Sequence, residues 1–253
     1  MQDGPQFGRV LARLIEHQQL TVADVSRIAG VGEAELRGVL DGVAPDPGML
    51  VRLAPALGIH GVDLLVAAGS PVPDDLLPTD PGAGRYVARL VSAALRSTGE
   101  QRASLRRFVT ALPQEPLVRP WPEPKPYEQY PHGPGGVLVR MLHNRNLKWM
   151  ASANILARLD DAVPLSSTTI GVIGRGGMEL TPRLLAGFAE LLGIPVGILG
   201  ILAGAESVAA GAPSLGSARR DIAELIWDAR RLSLDQVGEA IRYVEELPGS
   251  EET

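Results

Sequence analysis

Two short stretches of this chain carry side chains able to do chemistry. LSSTTIGVIGRGG, residues 165–177, presents Ser166 where a helix N-cap belongs, then Ser167, Thr168 and Thr169, with Arg175 just beyond the apolar run. HNRNLKW, residues 143–149, gathers Arg145, Asn146 and Lys148. These are hydrogen-bonding and cationic groups, so their chemistry is recognition of a polar or anionic partner. Bond-breaking chemistry has no comparable foothold. The chain shows no Gly-x-Ser-x-Gly elbow, HExxH helix, Walker loop or paired-carboxylate signature. Zero cysteines remove thiol nucleophiles, disulfides and Cys-ligated zinc. His17, His60, His132 and His143 have no His-x-x-x-His spacing, so no metal and no cofactor is expected. The glycines of GVIGRGG follow no strand and precede no Lys-Ser/Thr pair, so they read as helix termination rather than a phosphate loop.

The elements that must hold these groups read as helices. Apolar residues recur at three- and four-residue intervals in Val10, Leu11, Leu14, Ile15, in Leu50, Leu53, Ala54, Leu57 and in Ile222, Leu225, Ile226, Ala229. No segment alternates β-branched residues, so the expected fold class is all-α. Gly30, Gly42, Pro45-Asp46-Pro47, Gly58 and Gly69 cut the beginning of the chain into five short helices. At 253 residues, 45% apolar and net charge −5, without an uninterrupted apolar run of about 18 residues, the composition fits a globular protein of one or two domains. The start, MQDGPQFGRV, lacks the basic and apolar regions of a signal peptide. A cytoplasmic location away from membranes is the expectation.

Much of the chain is written twice. Leu50–Gly69 matches Leu185–Gly204 at an offset of 135, and Val87–Pro113 matches Ile222–Pro248 without a gap at the same offset. VLARLIEHQQL from Val10 matches VLVRMLHNRNL from Val137 at an offset of 127, so eight residues are inserted in the second copy, most of them between Leu147 and Leu165. A repeat this long signals a duplicated domain rather than a solenoid. The expected organisation is a five-helix module at 7–69, a helical hairpin at 84–113, a Pro-rich linker at 114–136, a second module at 137–204 with an insertion at about 157–164, and a second hairpin at 217–248. The linker's prolines favour extended polyproline II, yet Trp121, Tyr127 and Tyr130 predict that it lies against the helical body.

In LTVADVSRIAGVGEAELRGVLDGVAPDPGMLVRLAPALGI, a short helix over Val22 to Ile28 meets a turn at Gly30-Val31. A second short helix spans Glu33 to Leu40, and a Pro-started helix ends at Leu57-Gly58. This pattern resembles the Xre/Cro-like, lambda-repressor-like family of helix-turn-helix regulators, over 7–69 and less cleanly over 137–204. The whole arrangement, with AGSPVPDDLLPTD after the fifth helix, is also similar to actinobacterial helix-turn-helix regulators. The resemblance implies that the third helix lies in a DNA major groove while the helix before it bonds phosphates. On that reading Ser167, Thr168 and Thr169 face the bases behind the cap Ser166, and Arg145, Asn146, Lys148 and Arg175 border them.

The second module is the better equipped for DNA. Residues 7–69 hold five basic side chains against seven acidic ones, whereas 137–204 hold six against four. In the first module Glu33 and Glu35 stand where phosphate and base edges would be, so Thr21, Glu33, Glu35 and Arg37 mark either a second DNA face or a partner surface. Neither module has the family's glutamine early in the second helix: the positions read Thr21-Val22 and Lys148-Trp149. Lys148 can replace it electrostatically; Val22 cannot.

Amphipathic hairpins complete each copy, with Leu90 and Phe108 on the first stripe and Leu225 and Ile241 on the second. They can form a four-helix bundle within one chain or between chains, or pack each on its own module, so a homodimer or protein partner stays open. Two functions follow from the resemblance. One is a sequence-specific transcriptional regulator that binds double-stranded DNA and associates with the nucleoid. The other is a helix-turn-helix scaffold, without DNA binding, reassigned to a protein partner. The face around Arg145, Lys148 and Arg175 discriminates between them: contiguous and open favours DNA, plugged by linker or hairpin favours the partner.

Overall fold

A computed structural model describes residues 4–116, 125–159, 165–212 and 217–247, and these form fifteen α-helices with no strand among them. The first five are α1 (Gly4–His17), α2 (Val22–Ala29), α3 (Glu33–Leu40), α4 (Pro47–Leu53) and α5 (Gly61–Ala67). A pair follows, α6 (Gly84–Leu95) and α7 (Gly99–Ala111). Then come α8 (Pro134–His143), α9 (Trp149–Leu159), α10 (Ser167–Gly174), α11 (Pro182–Leu192), α12 (Val196–Ala203) and the single turn α13 (Glu206–Ala209). α14 (Ser217–Ala229) and α15 (Leu234–Glu246) end the described chain. Of the insertion expected at 157–164, residues 160–164 lie outside the described residues, as do 117–124 of the linker with Trp121. α9 runs three residues longer than α2, with 11 against 8.

Local chemistry explains where the helices start and stop. Thr98 and Ser233 each accept a bond from the backbone of a glutamine three residues on, and that glutamine bonds back to the cap. Asp46 and Thr181 cap α4 and α11, each followed by a proline in the first turn, where no backbone donor is lost. Gly58 and Gly193, with φ of 70° and 69°, close the helical runs before α5 and α12 in the left-handed region that lacks a Cβ penalty. Each of these features has its counterpart 135 residues along.

The helices interlock rather than lying in sequence order. α1 packs on α12 and α8 packs on α5, while α5 and α12 also meet. α6 and α7 both pack on α14 and α15, so the four hairpin helices share one core within a single chain. Leu90, Leu225 and Ile241 are buried there, and half-buried Phe108 stacks on Tyr243 with ring centroids 4.3 Å apart. Each such aliphatic side chain contributes about 1.5–3 kcal/mol by leaving water. Arg106 ties α7 to α14 through Asp228 at 2.7 Å and through Glu224. α6 lies along α9 and α14 along α11, so both hairpins lean on the second half. Among the described residues no single helix is long and apolar enough to cross a membrane.

Candidate recognition surface

Arg145 does not face solvent. The chain leaves α8 through Asn144, Arg145 and Asn146, and the Arg145 guanidinium forks onto Asp63 of α5, Nη1 to Oδ1 and Nη2 to Oδ2 at 2.8 Å each. Nη1 also donates to the Met141 carbonyl at 3.1 Å and Nη2 to the Leu192 carbonyl at 2.8 Å. Both side chains are 0% exposed. The expectation that Arg145 borders DNA is therefore corrected: a guanidinium sealed from water needs a counter-charge, and it takes one from the other half of the chain. Asn146 is corrected too, because it is buried with φ 58° and its Nδ2 donates to the Asp80 carbonyl at 2.7 Å.

Trp227 of α14 roofs this pair. Its ring stacks on His60 with centroids 3.5 Å apart, and the guanidiniums of Arg230 and Arg145 lie 4.0 Å and 5.2 Å from its centroid. Burial pushes His60 down to about 4, so the imidazole facing these cations is neutral at pH 7. The same cause brings Arg230 down to about 10.

The rest of the expected DNA set stays near the surface. Ser166 caps α10, its Oγ accepting from the Thr169 backbone at 3.1 Å and bonding the Thr169 hydroxyl at 2.8 Å. Ser167 is half-buried and Thr168 exposed. Lys148 is exposed at the foot of α9, where it lines a cleft with Arg85. Arg175 is exposed yet engaged, since Nη1 donates to the Tyr127 carbonyl at 3.2 Å and its guanidinium sits 5.6 Å from the Trp149 ring centroid.

The linker end, residues 125–131, makes that engagement. Tyr127 meets Trp149 edge-on at 5.6 Å, and Trp149 Nε1 donates to the Tyr130 hydroxyl at 2.7 Å. Arg140 holds the Tyr130 carbonyl at 3.0 Å. Tyr130 meets His143 edge-on at 5.7 Å, and burial brings His143 down to about 4. The expectation that aromatic residues pin the linker to the body thus agrees with Tyr127 and Tyr130. Of the glycines in GVIGRGG, Gly176 ends the helix as expected, with φ 73° just past α10, whereas Gly171 lies inside α10 and Gly174 is its last residue. A Cβ at either would come within 2.7 Å of an aromatic ring, Trp149 for the first and Tyr130 for the second. The signal was present in GVIGRGG, but only the partner rings give it meaning.

The corresponding surface of the first half is open and acidic. Thr21 is a helix cap whose hydroxyl donates to Asp24 at 2.6 Å, and Asp24 also pairs with Arg27 at 3.2 Å. Glu33 holds Arg37 at 2.6 Å, and Glu35 is exposed. Ile28 on α2 and Val43 just after α3 are large apolar side chains left in solvent. Among the described residues no group of three or more His, Asp or Glu side chains is arranged to hold a metal ion. No family model, curated protein or solved structure matches the chain.

Proposed function

We propose that this chain is an interaction scaffold: two lambda-repressor-like modules and their hairpins fused as a pseudo-symmetric tandem, with the helix-turn-helix surface given over to a protein partner. The observation that carries this reading is the fate of the cationic face. Arg145 is sealed against Asp63, and Arg175 is bonded to the linker that also covers Trp149. Non-specific DNA affinity is built from phosphate contacts, each released counterion adding roughly 0.9 to the salt slope, and two of the three cations proposed for that work are engaged elsewhere. The tandem organisation is supported by the recurring caps and by the crossed packing of α1 on α12 and α8 on α5. The partner surface is the open α2–α3 unit with the turn that follows it, where Ile28, Glu35 and Val43 are exposed. Fluorescence anisotropy with a mixed-sequence duplex pool at low salt tests the reading, the expected result being no saturable binding. Tight, salt-dependent binding overturns it. A photocrosslinker at Glu35 should capture a discrete partner in cells, and one at Arg242 on α15 should not.

One observation favours DNA as a second reading: Ser166 and Thr168 remain exposed at the start of α10, with Lys148 exposed just before α9. On this reading segment 125–131 must first move off the second module. Tyr127→Ala combined with Tyr130→Ala should then create DNA binding, which Lys148→Ala and Arg175→Ala weaken for all sequences alike. If the double tyrosine variant still ignores DNA, this second reading falls.

A further inference from the structure

We infer that the cleft between the turn Asp80–Gly82, the first half of α9 and the start of α15 is a binding site for a small carboxylate with an apolar tail. This site is separate from the partner surface and does not rest on it. The cleft has a volume of about 460 Å³, within the ~300–1,000 Å³ typical of ligand pockets, and it lies where three separately positioned elements converge.

Its charge is net cationic, with Arg85 and Lys148 against Asp80. Asp80 is the only carboxylate in the lining, and it is already committed: Oδ1 accepts from the Gly82 backbone at 2.8 Å and Oδ2 from the Leu234 backbone at 3.0 Å. Arg85 and Lys148 are the charged groups left with donors to offer in the cleft, and they outnumber that carboxylate. Arg85 lies 4.8 Å from the centroid of its neighbour Tyr86, Lys148 is exposed, and among the described residues neither forms an ion pair. A planar carboxylate suits a guanidinium fork, with the ammonium as a second point of attachment. Asn154, exposed on the next turn of α9, adds an amide within the same lining.

The apolar part of the ligand is indicated by Met150. It is 67% exposed, the most exposed large apolar side chain among the described residues, and it stands in this lining with Leu234. A flexible thioether adapts to ligands of irregular shape, and covering it removes apolar surface from water. An occupant would touch α9, the entry to α6 and the start of α15 at once. Lys148 thereby acquires a role that needs no DNA.

Octanoate is the probe, followed by calorimetry and by ¹³C-methyl methionine NMR, with the Met150 resonance identified through Met150→Leu. The expected result is saturable one-to-one binding that shifts the Met150 methyl. Arg85→Ala and Lys148→Ala should each weaken it by about tenfold, and the double variant should abolish it. Both side chains are exposed, so the variants keep the fold, and circular dichroism verifies that they do. Octylamine should not bind. Inorganic phosphate binding as well as octanoate would overturn the apolar half of the inference. Non-saturable octanoate binding, unchanged binding to the double variant, or shifts at Met49, Met141 or Met178 in place of Met150 would overturn the site itself. None of these outcomes bears on the photocrosslinking test of the partner surface.

Discussion

Replacing Arg145 with methionine tests the central junction most directly. The substitution keeps much of the side-chain volume but leaves the Asp63 carboxylate buried without its counter-charge, and it removes the donor from the Met141 and Leu192 carbonyls. Breaking a buried ion pair from one side costs about 3–5 kcal/mol. The abandoned carbonyls add to this, while protonation of Asp63 and entry of water subtract from it, so the expected loss is about 4 kcal/mol. That is a large part of a total stability of about 5–15 kcal/mol. At roughly 2–4 °C per kcal/mol for a chain of this size, Tm should fall by about 8–16 °C. Urea unfolding followed by circular dichroism at pH 7 measures the loss directly, provided the m value is unchanged. Asp63→Leu should cost a similar amount. The double variant Arg145→Met, Asp63→Leu should recover at least half of either loss, because an apolar pair of similar volume can replace a buried ion pair at little cost. A single variant within about 1 kcal/mol of the parent, or a double variant no better than the worse single, would refute the reasoning.

Other perturbations address other parts of the molecule. His60 and His143 are held by burial at about 4 against an ordinary 6.5, so the unfolded chain takes up protons that the folded chain refuses. Stability should be unaffected by them above about pH 6.5, fall as the pH drops, and level off near 4; urea midpoints at pH 7 and pH 5 should differ less in a His60→Gln, His143→Gln variant. Tyr130→Phe leaves Trp149 Nε1 without its acceptor, and should quicken chymotrypsin cleavage after Tyr127 while the core melts nearly as before. Gly174→Ala places a methyl group 2.7 Å from the Tyr130 ring and should raise the same cleavage rate, an unchanged rate being the contrary result. Leu90→Asp or Leu225→Asp puts a carboxylate into the shared hairpin core and should cost more than about 3 kcal/mol by urea unfolding, with parent-like melting as the contrary result.

The helices were legible because their signals are local. Gly30 and Gly58 stand at the observed ends of α2 and of the run after α4, Gly42 just past α3, and Pro47 at the first position of α4, where the punctuation of the sequence puts them. The candidate surface was only half legible, because exposure is decided by contacts between distant residues. Arg145 and Asp63 lie 82 positions apart, and nothing near Arg145 announces that it is enclosed. Asp63 did carry a hint, since a lone carboxylate within the apolar run of α5 needs a partner to be buried. Tyr127 and Tyr130 were readable as aromatics too costly to leave in a linker. The groove they occupy was not, because it depends on Trp149 and on two glycines in α10 that have no shared sequence pattern.

The buried pair of Arg145 and Asp63 also decides which halves can mate. At the offsets of the repeat, Arg145 corresponds to Gln18 and Asp63 to Ile198. The correspondence extends to bonding: Gln18 Nε2 donates to the Leu57 carbonyl at 2.6 Å, as Arg145 does to the Leu192 carbonyl. A symmetric dimer would repeat any charge pair on both sides of its axis, whereas this chain makes its pair once. Two first halves joined in the same manner would set Asp63 against a neutral glutamine. Two second halves would bury Arg145 against the aliphatic side chain of Ile198. Either union strands a charge in the interior, at a cost of several kcal/mol per ion. Unlike halves therefore accept each other's charge and like halves are refused, a rule of pairing that exists only because the matched positions carry different residues.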